Sequence, residues 1–400
     1  MKKSLFASVL KGWSNNVIIL GFIAGIGLIW LPAVNADASG VTYKDGDKWF
    51  KVGGRIQAQY HMTDQEEEDT SDEMIFRRLR PYIEGSVHPD WKGKFQVDFG
   101  KSETAIKDAY LRYTGIEGME FSVGNQNFPF SRELITSSNN QQLVERTFVG
   151  DHNYGTPDRQ IGFHLGGDGA GKKVTYGVSL ASACIDPDKK KLDFDTPVNN
   201  DADDWNEGFM FGGRVDFHPF GNLKFSQGDF DDKTLATFGV AAFTWSNDDD
   251  NNSYTDEETG LIIDEEGAKP DVDSVTGFEI SAAFRGAGVS VDAEYNIFNA
   301  ETVDTTFTGG IYENGETKLM NYAVEGGYMA VPNRLEFVAG YQAMDADNYD
   351  NVWTRTSVGM NYFFQKHDIK IQTTYRMGKS LDGVEDKDAN ELFVQFQYVF

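Results

Sequence analysis

Apolar and polar residues alternate along most of this chain. In the last ten residues every second position is apolar, namely Leu392, Val394, Phe396, Tyr398 and Phe400. Only an extended strand can turn a period of two into one apolar and one polar face. Sixteen such segments recur, at residues 50–62, 74–88, 92–100, 106–114, 119–126, 158–166, 172–183, 207–218, 234–246, 275–285, 289–299, 318–330, 334–345, 352–364, 368–377 and 391–400. The alternation predicts an all-β protein.

The connections between these segments alternate in length. Residues 63–73 and 127–157 are long connections, whereas residues 89–91 and 167–171 are short. Bacterial outer-membrane barrels have long loops outside the cell and short turns in the periplasm, and a soluble β-sandwich gives no reason for the alternation. The sequence therefore predicts a transmembrane antiparallel up-and-down β-barrel of about sixteen strands. Residues 101–105 are short for an outer loop, and residues 219–233 are long for a turn.

One strand segment leaves its orientation open. Both faces of residues 234–246 are largely apolar, so the alternation does not say which face would point into the barrel.

The first 36 residues have the features of a signal peptide. Lys2, Lys3 and Lys11 precede an apolar run at residues 17–31, and small residues at 34 and 36 suit cleavage after Ala36. The alternative is a membrane anchor, although about 15 apolar residues are short for a span of roughly 20. We expect a signal peptide at residues 1–36 and an exported barrel at residues 37–400.

Composition and charge exclude several classes of function. The net charge of -27 argues against a nucleic-acid partner, which needs clustered Lys and Arg. Cys184 is the single cysteine, so neither a disulfide framework nor a Cys-based zinc site is expected. The six histidines form no metal-binding pair. The acidic segment at 248–266 lacks the spacing of a calcium loop, and is interpreted as an outer loop that meets divalent ions of lipopolysaccharide. We therefore expect no cofactor, no metal site and no catalytic residues.

Several short motifs follow one another between residues 75 and 165. They are Phe76-Arg77-Arg78-Leu79-Arg80, Glu84-Gly85, Trp91-Lys92, Asp98-Phe99, Asp108-Ala109-Tyr110-Leu111, Gly124, Phe128-Pro129-Phe130-Ser131, Thr136-Ser137-Ser138 and Glu145-Arg146. In this order they resemble the phosphate-selective porin O and P family. The resemblance implies a sixteen-stranded, trimeric porin of the Gram-negative outer membrane. It also implies that the third outer loop, residues 127–157, folds into the pore and narrows it.

Charged residues of both signs are predicted to line the lumen. A guanidinium group matches the oxygens of phosphate, so clustered arginines would form an anion site. The alternative is that each arginine pairs with a facing carboxylate and only holds the barrel in shape. Arg77 has the opposite parity, and would need a bulge or a position near the mouth to join the others. The candidates for the pore and its constriction are Arg78, Arg80, Arg112, Arg132, Glu133, Glu145, Arg146 and Arg214.

The function that these observations favour is a water-filled channel for small hydrophilic solutes or ions, with phosphate or other anions as the candidates that the resemblance implies. The alternative is a barrel without a channel, either an adhesin-like surface protein or a lipid-active enzyme. The acidic segments at 65–69, 201–204 and 247–266 would lie at the outer mouth. We therefore expect weak selectivity that moves toward cations at low salt, and no high-affinity phosphate site. Expected partners are outer-membrane lipid, lipopolysaccharide, the barrel assembly machinery and two further copies of the chain.

Deletion of Phe400 tests whether the last strand is the closing strand of an outer-membrane barrel. In outer-membrane barrels, which this strand resembles, the final strand closes the barrel and serves as the assembly signal. Burial of a Phe contributes roughly 1.5 to 3 kcal/mol, a modest amount for a barrel of this size. We predict that deletion of Phe400 lowers the outer-membrane level of the protein far more than this energy implies. Immunoblots and heat-modifiable mobility measure the effect, and unchanged levels would refute the assignment.

Overall fold

A computed structural model describes residues 40–65, 68–186, 188–196, 198, 206–231, 233–248, 254–255, 262–263 and 270–400. The predicted signal peptide, the acidic residues 201–204 and most of residues 247–266 lie outside this part of the chain. Sixteen strands form one closed sheet. They are β1 (Lys48–Gln65), β2 (Ser71–His88), β3 (Trp91–Asp98), β4 (Ala105–Ile116), β5 (Met119–Asn127), β6 (Arg159–Gly169), β7 (Val174–Asp186), β8 (Glu207–Phe217), β9 (Leu235–Asn247), β10 (Val272–Gly286), β11 (Val289–Thr302), β12 (Glu316–Val331), β13 (Leu335–Asp345), β14 (Trp353–Gln365), β15 (Ile369–Lys379) and β16 (Ala389–Val399).

Each strand pairs antiparallel with the next, and β16 pairs with β1 to close the barrel. At the seam, the backbone of Phe400 exchanges two hydrogen bonds with that of Gly54, at 2.8 and 2.9 Å. A Cβ at position 54 would come within 2.8 Å of the Phe400 ring, so a larger residue there would require the ring to shift. The predicted sixteen-stranded up-and-down barrel is confirmed.

A few short elements lie outside the sixteen strands. Val41–Asp45 forms a hairpin with the start of β1, and Asp193–Asp195 adds to the end of β7. Tyr254–Thr255 pairs with Ile262–Ile263, and Arg132–Ile135 is a single helical turn. No helix within the described ranges is long and apolar enough to cross a membrane.

The two faces of the strands differ as the alternation predicts. Apolar side chains such as Phe211 and Ile280 point outward, while Arg214 and Glu279 on the same strands point inward and are buried. The structure also resolves the orientation of β9. Phe243 and Trp245 of this strand point inward and are 5% and 0% exposed, because they pack against residues that enter the lumen.

The third outer connection, residues 128–158, folds into the lumen, and we call it the constriction loop. Its Phe128 and Phe130 are fully buried, and the Phe130 ring meets Phe243 edge to face at 5.0 Å between ring centres. Phe148 packs on Trp353 of β14 at 4.8 Å. These aromatic contacts, together with hydrogen bonds from Arg214 of β8 to the carbonyl of Phe130 and from Lys370 of β15 to the carbonyl of Gln141, hold the loop against strands β8 to β15. This part of the lumen, which the loop fills, is called the closed side below.

The two connections that fitted the sequence pattern badly have structural explanations. The long turn between β8 and β9 enters the lumen from the periplasmic end, where Leu223, Gln227 and Asp229 are buried. The short outer connection between β3 and β4 is held close to β2, because the N–H of Phe99 donates to the carbonyl of Leu79 at 2.9 Å. The turn between β8 and β9 therefore fills the closed side further. The connection between β3 and β4 leaves the lumenal wall at β2 to β4 uncovered.

Candidate functional site

Two polar cavities lie between the constriction loop and strands β1 to β6, on what we call the passage side. The outer basin has a volume of about 290 Å³, and Lys101, Lys107 and His152 are among the residues that line it. The inner basin has a volume of about 430 Å³ and extends past Lys94 and Arg112 toward the periplasmic end. Arg80 and Arg146 line both basins. The two basins therefore meet at these two guanidinium groups.

A β-bulge in β2 brings Arg77 into this site. Gln57 of β1 pairs with Arg78 while the next residue, Ala58, pairs with Phe76, so Arg77 is the extra residue. Arg77 and Arg78 both point inward as a result, so of the two alternatives that the sequence left open for Arg77, a bulge or a position near the mouth, the structure has the bulge. Arg77 donates two hydrogen bonds to Glu145 of the constriction loop, at 2.7 and 3.0 Å. Burial would raise the pKa of Glu145, but Arg77 and then Arg78 outweigh burial and hold that pKa well below its usual range.

Several arginines and lysines of the passage side are paired with carboxylates. Arg80 donates to Asp98 at 2.5 Å, and Lys94 donates to Asp108 at 2.5 Å. Arg159 bridges Asp108 and Asp158, at 2.7 and 3.0 Å. Within each pair the opposite charges largely neutralise each other, and the side chains are fixed along the wall. This agrees with the alternative in which each arginine pairs with a facing carboxylate and holds the barrel in shape.

Other guanidinium groups have little or no carboxylate compensation in the described part of the chain. Arg55 donates only to the neutral side chains of Ser137 and Asn139, both at 3.2 Å. Arg146 donates to the carbonyls of Leu134 and Thr136, at 2.8 and 3.2 Å. Arg78 is 4.0 Å from Glu145, which already pairs with Arg77. Positive charge therefore exceeds negative charge where the basins meet.

The predicted pore residues divide between the two sides of the lumen. Arg78, Arg80, Glu145 and Arg146 lie together on the passage side. Arg112 lies in the inner basin, where its guanidinium stacks on Tyr110 at 4.6 Å and pairs with Glu120 at 3.0 Å. The remaining three predicted residues, which are Arg132, Glu133 and Arg214, lie on the closed side and line neither basin.

The three residues on the closed side have partners that explain their burial. Arg132 donates to Asp292 of β11 at 3.2 Å, and Arg214 pairs with Asp216 and Glu279 at 2.7 and 2.9 Å. Glu133 accepts hydrogen bonds from the N–H and the hydroxyl of Thr147 within the constriction loop. Removal of one partner would leave a buried charge uncompensated, which is costly. Arg132 therefore holds the loop against the wall, Arg214 does so by donating to the carbonyl of Phe130, and Glu133 joins two parts of the loop.

Sequence reasoning missed some residues of the passage. Lys107 has the parity opposite to that of Asp108, which the alternation already turns inward, yet both face the basins because β4 carries an irregularity opposite Phe95 and Val97. Arg159 is the first residue of β6, where the alternation has barely begun. The available signal was the cluster of charged residues at these strand ends, since charges are expensive on a lipid-facing surface.

No group of three or more His, Cys, Asp or Glu residues is placed to hold a metal ion anywhere in the described ranges. The acidic segment considered for calcium lies mostly outside those ranges.

A closed barrel with an apolar outer face and a loop that narrows a polar lumen defines the class of outer-membrane porins. The family model for phosphate-selective porin O and P matches residues 50–400. The chain belongs to this family and is a porin of the Gram-negative outer membrane.

Individual relatives are more distant. Porin O of Pseudomonas aeruginosa is 32% identical over 106 residues, which are 24% of this chain and 24% of that protein. The structure is similar to an anion-selective porin from Comamonas acidovorans, with a TM-score of 0.56, 12% identity and coverage of 88% and 100% of the two chains. It is also similar to the trimer form of OmpT, an outer membrane protein of Vibrio cholerae, with a TM-score of 0.53, 15% identity and coverage of 88% and 99%. At these identities the two structures show the shared fold.

A titratable contact joins two loops at the outer basin. Nδ1 of His152, in the constriction loop, lies 2.6 Å from Asp193 of the fourth outer loop. Burial disfavours the charged imidazole, but Asp193 outweighs burial and raises the pKa of His152 to about 9. The imidazolium pair is therefore complete below the ordinary pKa of about 6.5 and is lost as the pH rises through about 9.

We predict that the zero-current potential of the channel shifts toward cations with a midpoint near pH 9, because His152 loses its positive charge in the outer basin. Asp193→Asn should move this midpoint down toward about 6.5, and His152→Gln should abolish the transition. Reversal potentials in a KCl gradient from pH 5 to pH 10 measure all three proteins. A wild-type midpoint that is unchanged in Asp193→Asn would contradict the assignment.

Proposed function

We propose that this porin conducts small hydrophilic solutes along the passage side, from the outer basin past Arg80 and Arg146 to the inner basin. The closed side does not contribute to the path, because the constriction loop and the inward turn fill it with buried side chains. The path is thus a crescent between the loop and strands β1 to β6. A narrow path lined by charged groups passes ions and small polar solutes and excludes large ones.

The constriction is proposed to bind small anions, with phosphate among them. The observation that carries this proposal is the excess of guanidinium charge at the junction, where the hydrogen-bond partners of Arg55 and Arg146 within the described ranges are neutral groups. Guanidinium groups present forks of N–H donors that match the oxygens of phosphate. The family and the anion-selective porin from Comamonas acidovorans support the same class of solute.

Selectivity for anions is proposed to be weak overall. The outer basin also contains the carboxylates of Glu103, Asp151 and Asp158, and the chain has a net charge of -27. Charges near the mouth act over about 8 Å at 0.15 M salt and farther at low salt. We expect cation preference to increase as salt is lowered, and we expect no high-affinity phosphate site.

The remaining parts of the proposal concern the whole protein. We propose that it has no catalytic activity, carries no cofactor and assembles as a homotrimer, as the trimer form of OmpT suggests. Residues 1–36 are proposed to be a cleaved signal peptide. The barrel assembly machinery is proposed to recognise the strand that ends in Phe400, and lipopolysaccharide to contact the outer loops.

Planar bilayer recordings test this function directly. We expect stepwise conductance, a zero-current potential close to zero across a gradient of concentrated KCl, and millimolar phosphate block of chloride current.

Arg146→Gln should weaken the phosphate block by on the order of tenfold, because a charge-assisted hydrogen bond contributes about 1.5 to 3 kcal/mol. The control Lys366→Gln removes a positive charge that pairs with Asp231 on the exposed surface and lines neither basin, so it should retain the wild-type block. A folded protein that never conducts would refute the porin and favour the barrel without a channel. Sub-millimolar phosphate block with strong anion preference at low salt would refute the weak selectivity.

A further inference from the structure

The turn between β8 and β9 is anchored inside the barrel from the periplasmic end. The guanidinium of Arg285 donates to the carbonyl of Ser226 at 2.7 Å, and the N–H of Gly288 donates to Asp229 at 2.8 Å. The carbonyl of Gln227 lies 2.8 Å from Nε2 of His367. These contacts involve β10, the turn after it, and the turn before β15. The tip of the inward turn therefore has a fixed position within the lumen.

Gln227 joins this turn to the tip of the constriction loop. Its N–H donates to the carbonyl of Asn140 at 2.9 Å, and its Oε1 accepts from the N–H of Gln142 at 2.7 Å. Its Nε2 donates to Glu325 of β12 at 2.6 Å. The side chain is 2% exposed. One buried amide thus connects the loop tip, the periplasmic turn and the barrel wall.

The loop tip also has contacts on its other face. Ser137 and Asn139 line the inner basin and accept hydrogen bonds from Arg55 of β1. The Nε2 of Gln57 donates to the carbonyl of Ser138 at 3.2 Å. On the closed side Gln372 and Asn361 also donate to the carbonyl of Gln142, so loss of the Gln227 side chain would weaken the hold on that face and let the contacts with β1 draw the tip toward β1. Movement in that direction narrows the inner basin, because the basin lies between the tip and the passage-side wall.

We propose that Gln227 is a positioning residue that holds the tip of the constriction loop on the closed side and so keeps the inner basin open. The inference rests on the proposed conduction path. The opening of the pore then depends on a periplasmic turn as well as on the outer loop.

Gln227→Met tests the proposal, since methionine has a similar volume and cannot form the two side-chain hydrogen bonds. Each buried bond contributes about 1 kcal/mol, and a loss of 1.4 kcal/mol changes a population tenfold. We expect the time that single channels spend in a low-current state to rise on the order of tenfold, with brief closures and a lower mean current. Asp231→Asn is the matched control, because Asp231 lies in the same turn but pairs with Lys366 at 3.0 Å on the exposed surface.

A second variant keeps the test informative if Gln227→Met folds poorly. The backbone hydrogen bond between residues 140 and 227 brings the two positions close together, so the second variant joins them by a disulfide in Asn140→Cys with Gln227→Cys. Oxidised channels should be quiet, and reduction with dithiothreitol should produce the brief closures in the same membrane. Wild-type current and noise in Gln227→Met together with a double variant that does not respond to dithiothreitol would overturn the proposal. A wild-type protein that does not conduct would instead overturn the conduction path.

Discussion

A loop folded inside a barrel must find hydrogen-bond partners for its own backbone, and much of this structure follows from that constraint. The closed side excludes bulk water, so an unpaired carbonyl there would be costly. The wall supplies long polar side chains that reach the loop. Lys370 donates to the carbonyl of Gln141 at 2.8 Å, and Gln372 and Asn361 donate to that of Gln142 at 2.9 and 3.0 Å. The inward face of the closed side is consequently committed to holding the loop, and charge that could meet a solute remains at the passage side.

The charge of the site differs from that of the chain. The protein as a whole is strongly acidic, yet the junction of the two basins has excess guanidinium charge. The bulge in β2 contributes to this excess, because Arg77 neutralises Glu145 and leaves Arg78 largely uncompensated. A local field at a constriction depends on the few charges within a Debye length rather than on net charge.

The sequence predicted the barrel because strand periodicity and loop length are local properties. The inward parity of Arg78, Arg80 and Arg214 was predicted for the same reason. It could not be predicted that Arg214 would lie behind the constriction loop, because that depends on which part of the wall the loop packs against. The inward aromatics of β9 and the long turn at 219–233 were signals of the filled lumen. They acquire meaning only when Phe130, Phe243 and Gln227 are seen together.

Cysteine accessibility tests the central claim, which is that solutes pass only along the passage side. Ser137 lines the inner basin, whereas Ser290 of β11 is fully buried and hydrogen-bonded to Gln142 on the closed side. A negatively charged thiosulfonate reagent should reduce the current of Ser137→Cys within seconds and leave Ser290→Cys unchanged. The wild type should not respond, because Cys184 is buried. Rapid modification at Ser290, or a Ser137→Cys channel that the reagent does not affect, would contradict the account.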